Sequence, residues 1–474
     1  MIQTNTITFD NNPVALNVDS DGIVMLFSKA VATSAGTTPF VLGTAYLLTK
    51  LDDLVTKLGI TSAYDATNHV SLFQQINEFY DGGVNDGLKI WLVGVAKATD
   101  FDDYVITEPF KELLRITSQA DPANRAKYIA FAPVTEQVSR LSTDIAKADA
   151  FPAEVFATLT ALKDVETALT EEGFPFGYMI GGNGMASNLS ESDLPSLVLK
   201  DTPKGSVLVT GLQDNGVASV GNALSRIALT RIGRGYGAVE DGSIASTAYL
   251  TNGCPVIIAA GGTLIVGITY TVSVGAITYN SVVYNVGDSF TCVTGFTTFT
   301  TSASGVVSVV SSDVALFPLK DSSGSPYYEL GSKQYVFLRR RKNQEGYFYH
   351  DGATATSSTK PVSDIPIVRV LNHFITEAQN FIETTMQADV PIDVVTGLVT
   401  TPYVEEKQAT FYENSIKPKT DKELGTGDIS DGKLTLSGVL QGSKVLWTYT
   451  LEIVPRGIVN GSTGVIRFVS TLTQ

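Results

Sequence analysis

The sequence is poor in the residues on which most metal and disulfide chemistry depends. It has only two cysteines, Cys254 and Cys292, and three histidines among 474 residues. Two cysteines exclude a disulfide-stapled secreted scaffold and fit assembly in a reducing cytoplasm. No His or Cys pair stands at the spacing of a zinc site, such as HExxH or CxxC. The sequence therefore predicts no metal site.

Long apolar runs and an excess of positive charge are also missing. No window reaches the roughly 18 continuous apolar residues that a transmembrane helix needs. The start, MIQTNTITFD, lacks the charged residues and apolar core of a signal peptide. The 33 basic and 48 acidic residues give a formal net charge of −15, which argues against broad binding to nucleic acid or anionic lipid. We expect no direct contact with nucleic acid and no stable membrane insertion.

The chain does contain enough apolar sequence for more than one core. Apolar residues make up 43% of it, and its length predicts two to four domains. Apolar runs alternate with amphipathic segments through the first half, which predicts an α/β (α+β) fold with mixed sheets under helical cover. The predicted strands are 22–30, 88–96, 128–133, 176–182 and 206–212, and the predicted helices are 47–58, 69–83, 152–172 and 216–231.

One segment breaks this alternation. Residues 263–312 contain no Lys, Arg, Glu or Pro and consist largely of Val, Thr, Tyr and Phe, with a Gly every 8 to 12 residues. This composition is typical of a small all-β module built from hairpins. We expect the module to be inserted into the α/β chain and exposed at its surface.

The second half ends in helices and strands. A strand pair is predicted at 334–341 and 345–352, and a helix capped by Ser363 or Asp364 follows with Leu371, Phe374, Ala378 and Phe381 on its apolar side. The last predicted elements are a helix at 404–417 and strands at 433–440, 444–455 and 464–472. The predicted division is an extended arm at 1–20, an α/β core at 21–262, the inserted module at 263–312, a C-terminal α/β domain at 313–463 and a terminal arm strand at 464–474.

The histidines do not form a convincing catalytic site. His69 and His373 lie in predicted helices among apolar neighbours, where a structural role is expected. His350 belongs to EGYFYHDG (345–352), whose aromatic residues alternate sides in an extended strand and cannot all converge on one pocket. Asp351 begins a turn signal. We interpret this stretch as a structural strand beside the basic run Arg339–Lys342.

Three further motifs are similar to catalytic or phosphate-binding sequences but are not interpreted as such sites, and the second of them, GRGYGA, is interpreted as a turn. Ser357–Lys360 (SSTK) precedes a proline in a Ser/Thr-rich loop and does not open a helix as an S-x-x-K nucleophile must. GRGYGA (233–238) follows a predicted helix, and GGNGMA (181–186) lacks the lysine of a phosphate-binding loop. We assign no catalytic, cofactor-binding or metal-ligating residue, and we expect no cofactor and no enzymatic activity.

The order of several segments resembles the sheath subunits of contractile phage tails and related contractile injection systems. Residues 22–60 are similar to the sheath opening, and 68–96 to the helix, Gly-Gly and strand that follow it. The remaining segments of this kind are 223–242, which looks like the shorter Mu-like subfamily, 346–374 and 448–470. The chain departs from the family where TSAGTTP (33–39) replaces Gly-Pro, and the module at 263–312 has no counterpart in minimal sheaths.

The resemblance implies a structural protein of a virion. Sheath subunits polymerise into a helical tube around an inner tail tube and contract to drive it through the target cell envelope. The implied partners are further copies, joined by strand exchange through the terminal arms, together with the inner tube, baseplate and tail terminator proteins. The resemblance also implies assembly in the cytoplasm of a host bacterium. Polar arms and an uncovered last strand are compatible with β-strand addition.

Two alternatives belong to other classes. The first is an adhesion or carbohydrate-binding virion protein in which Tyr270, Tyr279, Tyr284 and Phe290 of the β module stack on sugar rings. The second is an α/β hydrolase, which the absence of a G-x-S-x-G sequence makes a poor candidate.

Overall fold

The structure is a computed structural model of the chain. It describes residues 22–120, 125–132, 140–141, 151–183, 185–186, 194–213, 215–230, 243–246, 248–254, 256–259, 269–301, 306–309, 328–340, 345–386, 389–420, 427–441 and 444–455, together with residues 232, 234, 236, 264 and 266. Both predicted arms, and with them the strand predicted at 464–472, lie outside the described residues.

The described strands are short in the first part of the chain and long only at its end. In chain order, those up to residue 262 are β1 (Val24–Ala30), β2 (Ala45–Leu48), β3 (Ile90–Ala96), β4 (Tyr128–Ala132), β5 (Arg140–Leu141), β6 (Gly177–Gly181), β7 (Met185–Ala186), β8 (Gly205–Leu208), β9 (Thr210–Gly211), β10 (Tyr249–Leu250), β11 (Asn252–Cys254) and β12 (Val256–Ala259). Those that follow are β13 (Thr269–Val274), β14 (Ile277–Tyr279), β15 (Val282–Tyr284), β16 (Ser289–Thr291), β17 (Thr300–Thr301), β18 (Val306–Val309), β19 (Leu338–Arg340), β20 (Tyr347–Tyr349), β21 (Ile429–Gln441) and β22 (Lys444–Pro455).

Helices lie between these strands. The described α-helices are α1 (Ser62–Asn68), α2 (Leu72–Tyr80), α3 (Phe101–Val105), α4 (Glu108–Ala120), α5 (Ala153–Glu171), α6 (Val220–Leu229), α7 (Tyr328–Ser332), α8 (Ile365–Met386), α9 (Thr401–Phe411) and α10 (Lys417–Thr420). Shorter helical turns of other types are Asp53–Lys57, Asp81–Gly83, Leu197–Lys200 and Tyr412–Ile416. Among the described residues, no helix is both long and apolar enough to span a membrane.

A mixed sheet forms the centre of the first half. Its described strands are ordered β2-β3-β1-β4-β6-β8, and all are parallel except β2, which runs antiparallel to β3. Every residue of β1 is buried, as expected for a parallel strand between two neighbours under helical cover. The predicted α/β class is confirmed, and the predicted strands and helices of this half are found with one exception.

The exception is the helix predicted at 47–58. Leu47 and Leu48 belong to β2, where Leu48 pairs with Ile90 of β3 and is buried. Helical structure begins only at Leu51. Pairing with the sheet edge satisfies the backbone of β2, so tertiary contact overrides the helical spacing of the leucines. The predicted stop is confirmed, because Gly59 adopts φ +71° and packs against the backbone of Gly36.

The predicted β character of the insert is confirmed for its described residues. They form a sheet ordered β16-β13-β18-β12-β5 and a second ordered β15-β14-β17. Asn280 and Ser281 both have positive φ, the conformation of a tight two-residue hairpin turn. The first sheet also contains β5 and β12, which lie before residue 263. The boundaries predicted for the inserted module and for the other domains therefore stay a prediction.

The backbones of helices α2 and α6 approach each other so closely at Gly221 that a larger side chain would not fit between them. A Cβ placed on Gly221 would lie 1.8 Å from the carbonyl oxygen of Gln75. The Gln75 side chain completes the contact, donating to the Ala218 carbonyl at 2.9 Å and accepting the Gly221 N–H at 2.7 Å. Backbone and side chain therefore fix one arrangement of the two helices.

A buried carboxyl group lies in the same contact. Glu78 accepts a hydrogen bond from Gln74 at 2.9 Å, and Gln74 accepts one from Asn215 at 2.9 Å. Burial raises the pKa of Glu78 to about 7 from 4.5, although hydrogen bonds from Gln74 and Ser219 favour the charged form. Above neutral pH the fold therefore holds a buried negative charge.

We expect Glu78→Gln to stabilise the protein at about pH 8 and to change its stability little near pH 4. The folded-state pKa lies above that of the unfolded chain, so the glutamate costs stability as pH rises from 4.5 through about 7. The full difference amounts to about 3 kcal/mol. Denaturant unfolding at the two pH values measures it, with the exposed Glu405→Gln as control. Equal effects at both pH values would contradict the assignment.

Candidate functional site

The carboxyl ends of the central sheet are the first place to look for a ligand site. The parallel strands follow the order of doubly wound folds, in which ligands bind where the chain reverses direction across the sheet, here between β1 and β4. The Lys29 side chain at the end of β1 is 2% exposed, and its Nζ lies 2.6 Å from Glu154 Oε1. The ring of Phe101 lies 4.2 Å from the same nitrogen. Side chains of the protein itself therefore occupy this position.

The two glycine-rich stretches also make structural contacts. Asn183 of GGNGMA accepts the Ala218 N–H at 2.8 Å, which ties that loop to the start of α6. Tyr236 of GRGYGA is buried, donates to the Ala223 carbonyl at 3.0 Å, and packs on the ring of Tyr349 with centroids 4.5 Å apart. The side chains of Asn183 and Tyr236 are therefore buried in contacts with the protein itself.

EGYFYHDG forms part of a hairpin, as predicted. Leu338 of β19 pairs with Tyr349 of β20, whose hydroxyl donates to Asn222 at 3.0 Å. His350 Nε2 lies 3.4 Å from Asp351 Oδ2, and its ring packs on Phe337 at 4.8 Å. The strand places aromatic side chains into buried surroundings and does not gather them in a pocket.

The other two histidines lie elsewhere. His373 is buried within α8, as expected. The prediction for His69 is wrong, because this residue follows the end of α1 with φ 53° and is exposed. The carboxylate of Asp65, four residues earlier in α1, accepts hydrogen bonds from the N–H groups of Phe73 and Gln74 at the start of α2. The chain ends α1 and turns at His69, and this turn brings the start of α2 to the Asp65 carboxylate. Across the described part of the chain, no group of three or more His, Cys, Asp or Glu residues could hold a metal ion.

The SSTK stretch is an exposed turn. Ser357 Oγ lies 2.8 Å from Thr359 Oγ1, and Lys360 pairs with Asp201 at 2.5 Å. The serine opens no helix and the lysine is half exposed, so the geometry of an S-x-x-K nucleophile is not formed. That the chain has no catalytic, cofactor-binding or metal-ligating residue stays a prediction.

Phe348→Ala tests the structural role of β20, the strand formed by EGYFYHDG. Phe348 is almost fully buried, and its truncation should lower the free energy of unfolding by about 3 kcal/mol. His350→Ala, at a partly exposed position, should cost less than about 1.5 kcal/mol. Chemical denaturation measures both. A larger loss for His350 than for Phe348 would show that the histidine holds the hairpin together.

The aromatic residues of the β module do not serve the carbohydrate-binding alternative. Tyr270, Tyr279 and Phe290 are buried in the core of the module, and Tyr284 is half buried against Phe290. Their rings stack on one another, with 4.3 Å between Tyr279 and Phe290. The prediction that these rings are available to sugars is wrong, because a module this small needs its aromatics to fill its own core.

The feature that stands out as an interaction site is the ribbon β21–β22. Its strands pair antiparallel over almost their whole length, from Ile429 with Pro455 to Gln441 with Lys444. One face packs on α8, α9 and the turn that follows α9. The contact forms a hydrophobic core separate from that of the central sheet, which we call the second core. Its buried apolar residues are Ile232, Val370, Phe374, Ala378, Ile382, Val399, Phe411, Ile416, Ile429, Leu434, Leu436 and Trp447.

The two edges of the ribbon differ. On β21, Leu436 N–H donates to Gln408 at 2.9 Å, Leu440 N–H donates to the Gly397 carbonyl, and the Gly438 carbonyl accepts the Val399 N–H. These groups point away from β22. No described segment pairs with the outer edge of β22. Among the described residues, one edge of the ribbon is thus covered by its own subunit, and the other, which we call the open edge, is not.

The register identifies the groups on the open edge. Leu436 turns its N–H outward and is paired with Tyr449, so Tyr449 also turns its N–H and C=O outward. The same alternation directs the backbone of Trp447 and Leu451 outward and that of Thr448 and Thr450 toward β21. An extended segment placed beside β22 would find a row of donors and acceptors ready to pair.

The side chains along this edge are incompletely covered. Among the residues of β22 on the side of the second core, Trp447 is buried, but Tyr449 is 42% exposed, and Val445, Leu451 and Ile453 are only partly buried. Their counterparts Leu434 and Leu436 on β21 are buried. An added strand would cover the apolar row as well as satisfy the backbone. The sequence predicted both strands but not the open edge. Which edge of a two-stranded ribbon is covered depends on segments elsewhere in the chain, and the sequence of the strands does not show them.

Comparisons with known proteins found similar chains among solved structures only. No protein-family model matches the chain, and no curated protein matches it. The chain is similar to a chain in the baseplate of the anti-feeding prophage, with 8% identity and a TM-score of 0.46, over 100% of this chain and 99% of that one. It is also similar to a chain of the contracted PVC sheath complex of an extracellular contractile injection system, with 10% identity, a TM-score of 0.46 and 98% of each chain covered. A sheath tail protein from Desulfitobacterium hafniense shows 10% identity and a TM-score of 0.34, with 96% of this chain and 100% of that chain covered.

Proposed function

We propose that this chain is a structural subunit of a contractile tail sheath. Copies polymerise into a helical tube around an inner tail tube, and contraction of this tube drives the inner tube through the envelope of a target cell. The chain acts by assembly and not by catalysis. Its place is in the tail of a virion or a related particle assembled in the cytoplasm of a host bacterium.

The observation that carries this proposal is the open edge of β22. An exposed edge beside partly covered apolar residues is a liability for an isolated protein, because it invites pairing with another chain. It becomes an advantage when the partner is a segment of a neighbouring copy that adds a strand to the ribbon. Isolated two-stranded ribbons are also only marginally stable, so an additional strand strengthens the second core.

The terminal arms supply segments that suit this edge. Residues 464–472 alternate apolar and polar side chains, and residues 1–20 are a polar stretch with few large apolar groups. Each backbone hydrogen bond formed by an added strand contributes about 1 kcal/mol net. Repeated along a tube, such links would hold neighbouring copies together while the tube changes its length and diameter. The inner tube, baseplate and tail terminator proteins are the further partners that this function requires.

The order of the resembling sequence segments supports the same function. It runs from the first strand at residue 22 to the last strands around residue 470. Where these segments are described, they contribute to the mixed sheet, to its helical cover and to the second core under the ribbon. The β module interrupts this order, and we propose that it lies on the outer face of the tube.

Electron microscopy of the purified protein tests the proposal directly. The intact chain should form long tubes or rings, and deletion of residues 1–18 or of residues 464–474 should leave a soluble, folded protein that forms neither. Circular dichroism shows whether the truncated forms are folded. Hydrogen exchange should find both arms protected only in the assembly. Arms that are protected already in the monomer, or discrete monomers at every concentration, would overturn the proposal.

A further inference from the structure

A turn beside the ribbon carries the two most exposed large apolar side chains among the described residues. They are the adjacent Val394 and Val395, which are 96% and 89% exposed. Gly, Pro, Asn, Asp and Ser are the residues that dominate tight turns, so two valines held in water break a local rule. Such departures are expected where a residue serves function and not folding. We call residues 393–397 the valine turn.

The valine turn is held firmly in one conformation. The Asp393 carboxylate accepts the N–H groups of Val395 and Thr396 at 2.8 and 3.0 Å. Gly397, with φ +69°, donates its N–H to the Asp393 carbonyl at 2.8 Å, and its own carbonyl accepts the N–H of Leu440 in β21. A turn that is already fixed loses little conformational entropy when it binds. The valines are thus presented as a preformed anchor.

Two further apolar side chains lie where the turn joins the ribbon. Leu398 pairs with Val439, and the hydrogen bonds donated by Val399 and Leu440 on either side make this a pair whose side chains stand close together. Leu398 is 43% exposed and Val439 is 39% exposed. The turn adjoins β21, so a strand added at the open edge of β22 would leave the valines accessible.

The size of this surface limits the kind of partner that it can hold. A stable contact between two proteins takes about 20 residues from each side, whereas the valine turn offers two exposed valines and two half-exposed neighbours. A contact this small is weak when it is made once and becomes strong when it is repeated along a partner. Copies joined into a tube meet this condition if they surround a partner that is itself a repeating assembly.

We propose that the valine turn contacts the inner tube, with Val394 and Val395 inserted into an apolar depression on the outer surface of each tube subunit. This inference rests on the proposed function. Contraction moves the inner tube relative to the sheath, so the contact with the inner tube has to break, whereas the links between copies have to persist. A small apolar contact suits the first requirement, and strand addition suits the second.

Two other occupants fit the valine turn less well. A neighbouring copy has to stay joined through contraction, and two valines are too few for a lasting contact. An anionic membrane attracts basic residues placed beside an apolar surface. No Lys or Arg occurs between residues 370 and 406, whereas Asp389 and Asp393 lie close to the valines in the sequence.

The test is co-expression of the full-length chain with the inner tube protein of the same particle, followed by electron microscopy. The wild-type chain should form tubes that contain an inner tube. Val394→Ser combined with Val395→Ser should still form tubes, because strand addition is untouched, but the fraction that contains an inner tube should fall at least about tenfold. The matched control replaces Val283 and Val286, each 61% exposed in the β module, with serine and should leave this fraction unchanged.

Four results would count against the inference. An unchanged fraction of filled tubes in the serine variant would overturn it, and so would the loss of all tubes, which would place the turn between copies. Flotation of the wild-type chain but not of the variant with phosphatidylglycerol vesicles would assign the turn to a membrane. These three results leave the proposed function standing, whereas a wild-type chain that never forms tubes removes both. If the serine variant does not fold, Val394→Thr with Val395→Thr keeps the side-chain shape and takes its place.

Discussion

Tyr449→Pro should abolish the formation of long tubes while leaving the subunit folded. Proline lacks the N–H that Tyr449 turns away from β21, so a strand added at the open edge of β22 would lose a hydrogen bond and meet the proline ring. Within the described subunit that N–H has no strand partner, and proline is tolerated at outward-facing positions of edge strands. We therefore expect a near-unchanged circular dichroism spectrum and no tubes by electron microscopy.

Thr450→Pro is the matched control for this variant. Thr450 is the next residue along β22, and the register directs its N–H inward to Thr435 of β21. Proline there removes a hydrogen bond within the ribbon and should destabilise the monomer itself, by at least about 1 kcal/mol. Tubes formed by the Tyr449→Pro protein would show that strand addition does not occur at this edge. Equal unfolding of both variants would show that the alternation of the ribbon is not as described.

Gly221→Ala should lower the free energy of unfolding by at least about 4 kcal/mol. The substitution normally stabilises a helix, because alanine exceeds glycine in helix propensity by about 1 kcal/mol. Here the added methyl group would lie 1.8 Å from the carbonyl oxygen of Gln75, which is backbone and cannot rotate away. Helices α2 and α6 would have to separate, and both hydrogen bonds of the Gln75 side chain would be strained.

Gly432→Ala is the control for Gly221→Ala. A Cβ at Gly432 would lie 3.0 Å from the Cδ1 atom of Ile453, the end of a side chain that can turn aside, so the cost should stay below about 1 kcal/mol. Chemical denaturation of both variants compares them with the wild-type chain. A stabilised Gly221→Ala protein would mean that the two helices do not approach as closely as the structure shows.

The sequence by itself determined the class of the fold and most of its elements. β1 was predictable because the seven-residue run VMLFSKA, apolar or small at every position except Lys29, is long enough for a strand buried on both faces. Helix α8 was predictable because its apolar residues recur at helical spacing over 22 residues. The charge-free composition of the insert indicated its β structure in the same way. These are local signals, and the physics that produces them acts within one element.

Only the tertiary structure decided how those elements are used. Leu47 carried a helical pattern but joined β2, because pairing with β3 satisfies backbone groups that a short helix would leave unpaired. The aromatics of the insert fitted a sugar-binding surface as well as a core, and the packing of Phe290 against three tyrosines placed them inside. The open edge of β22 and the contact at Gly221 depend on which segments lie beside them. Neighbours far apart in the chain are brought together by the fold as a whole, and no periodicity within a single segment encodes them.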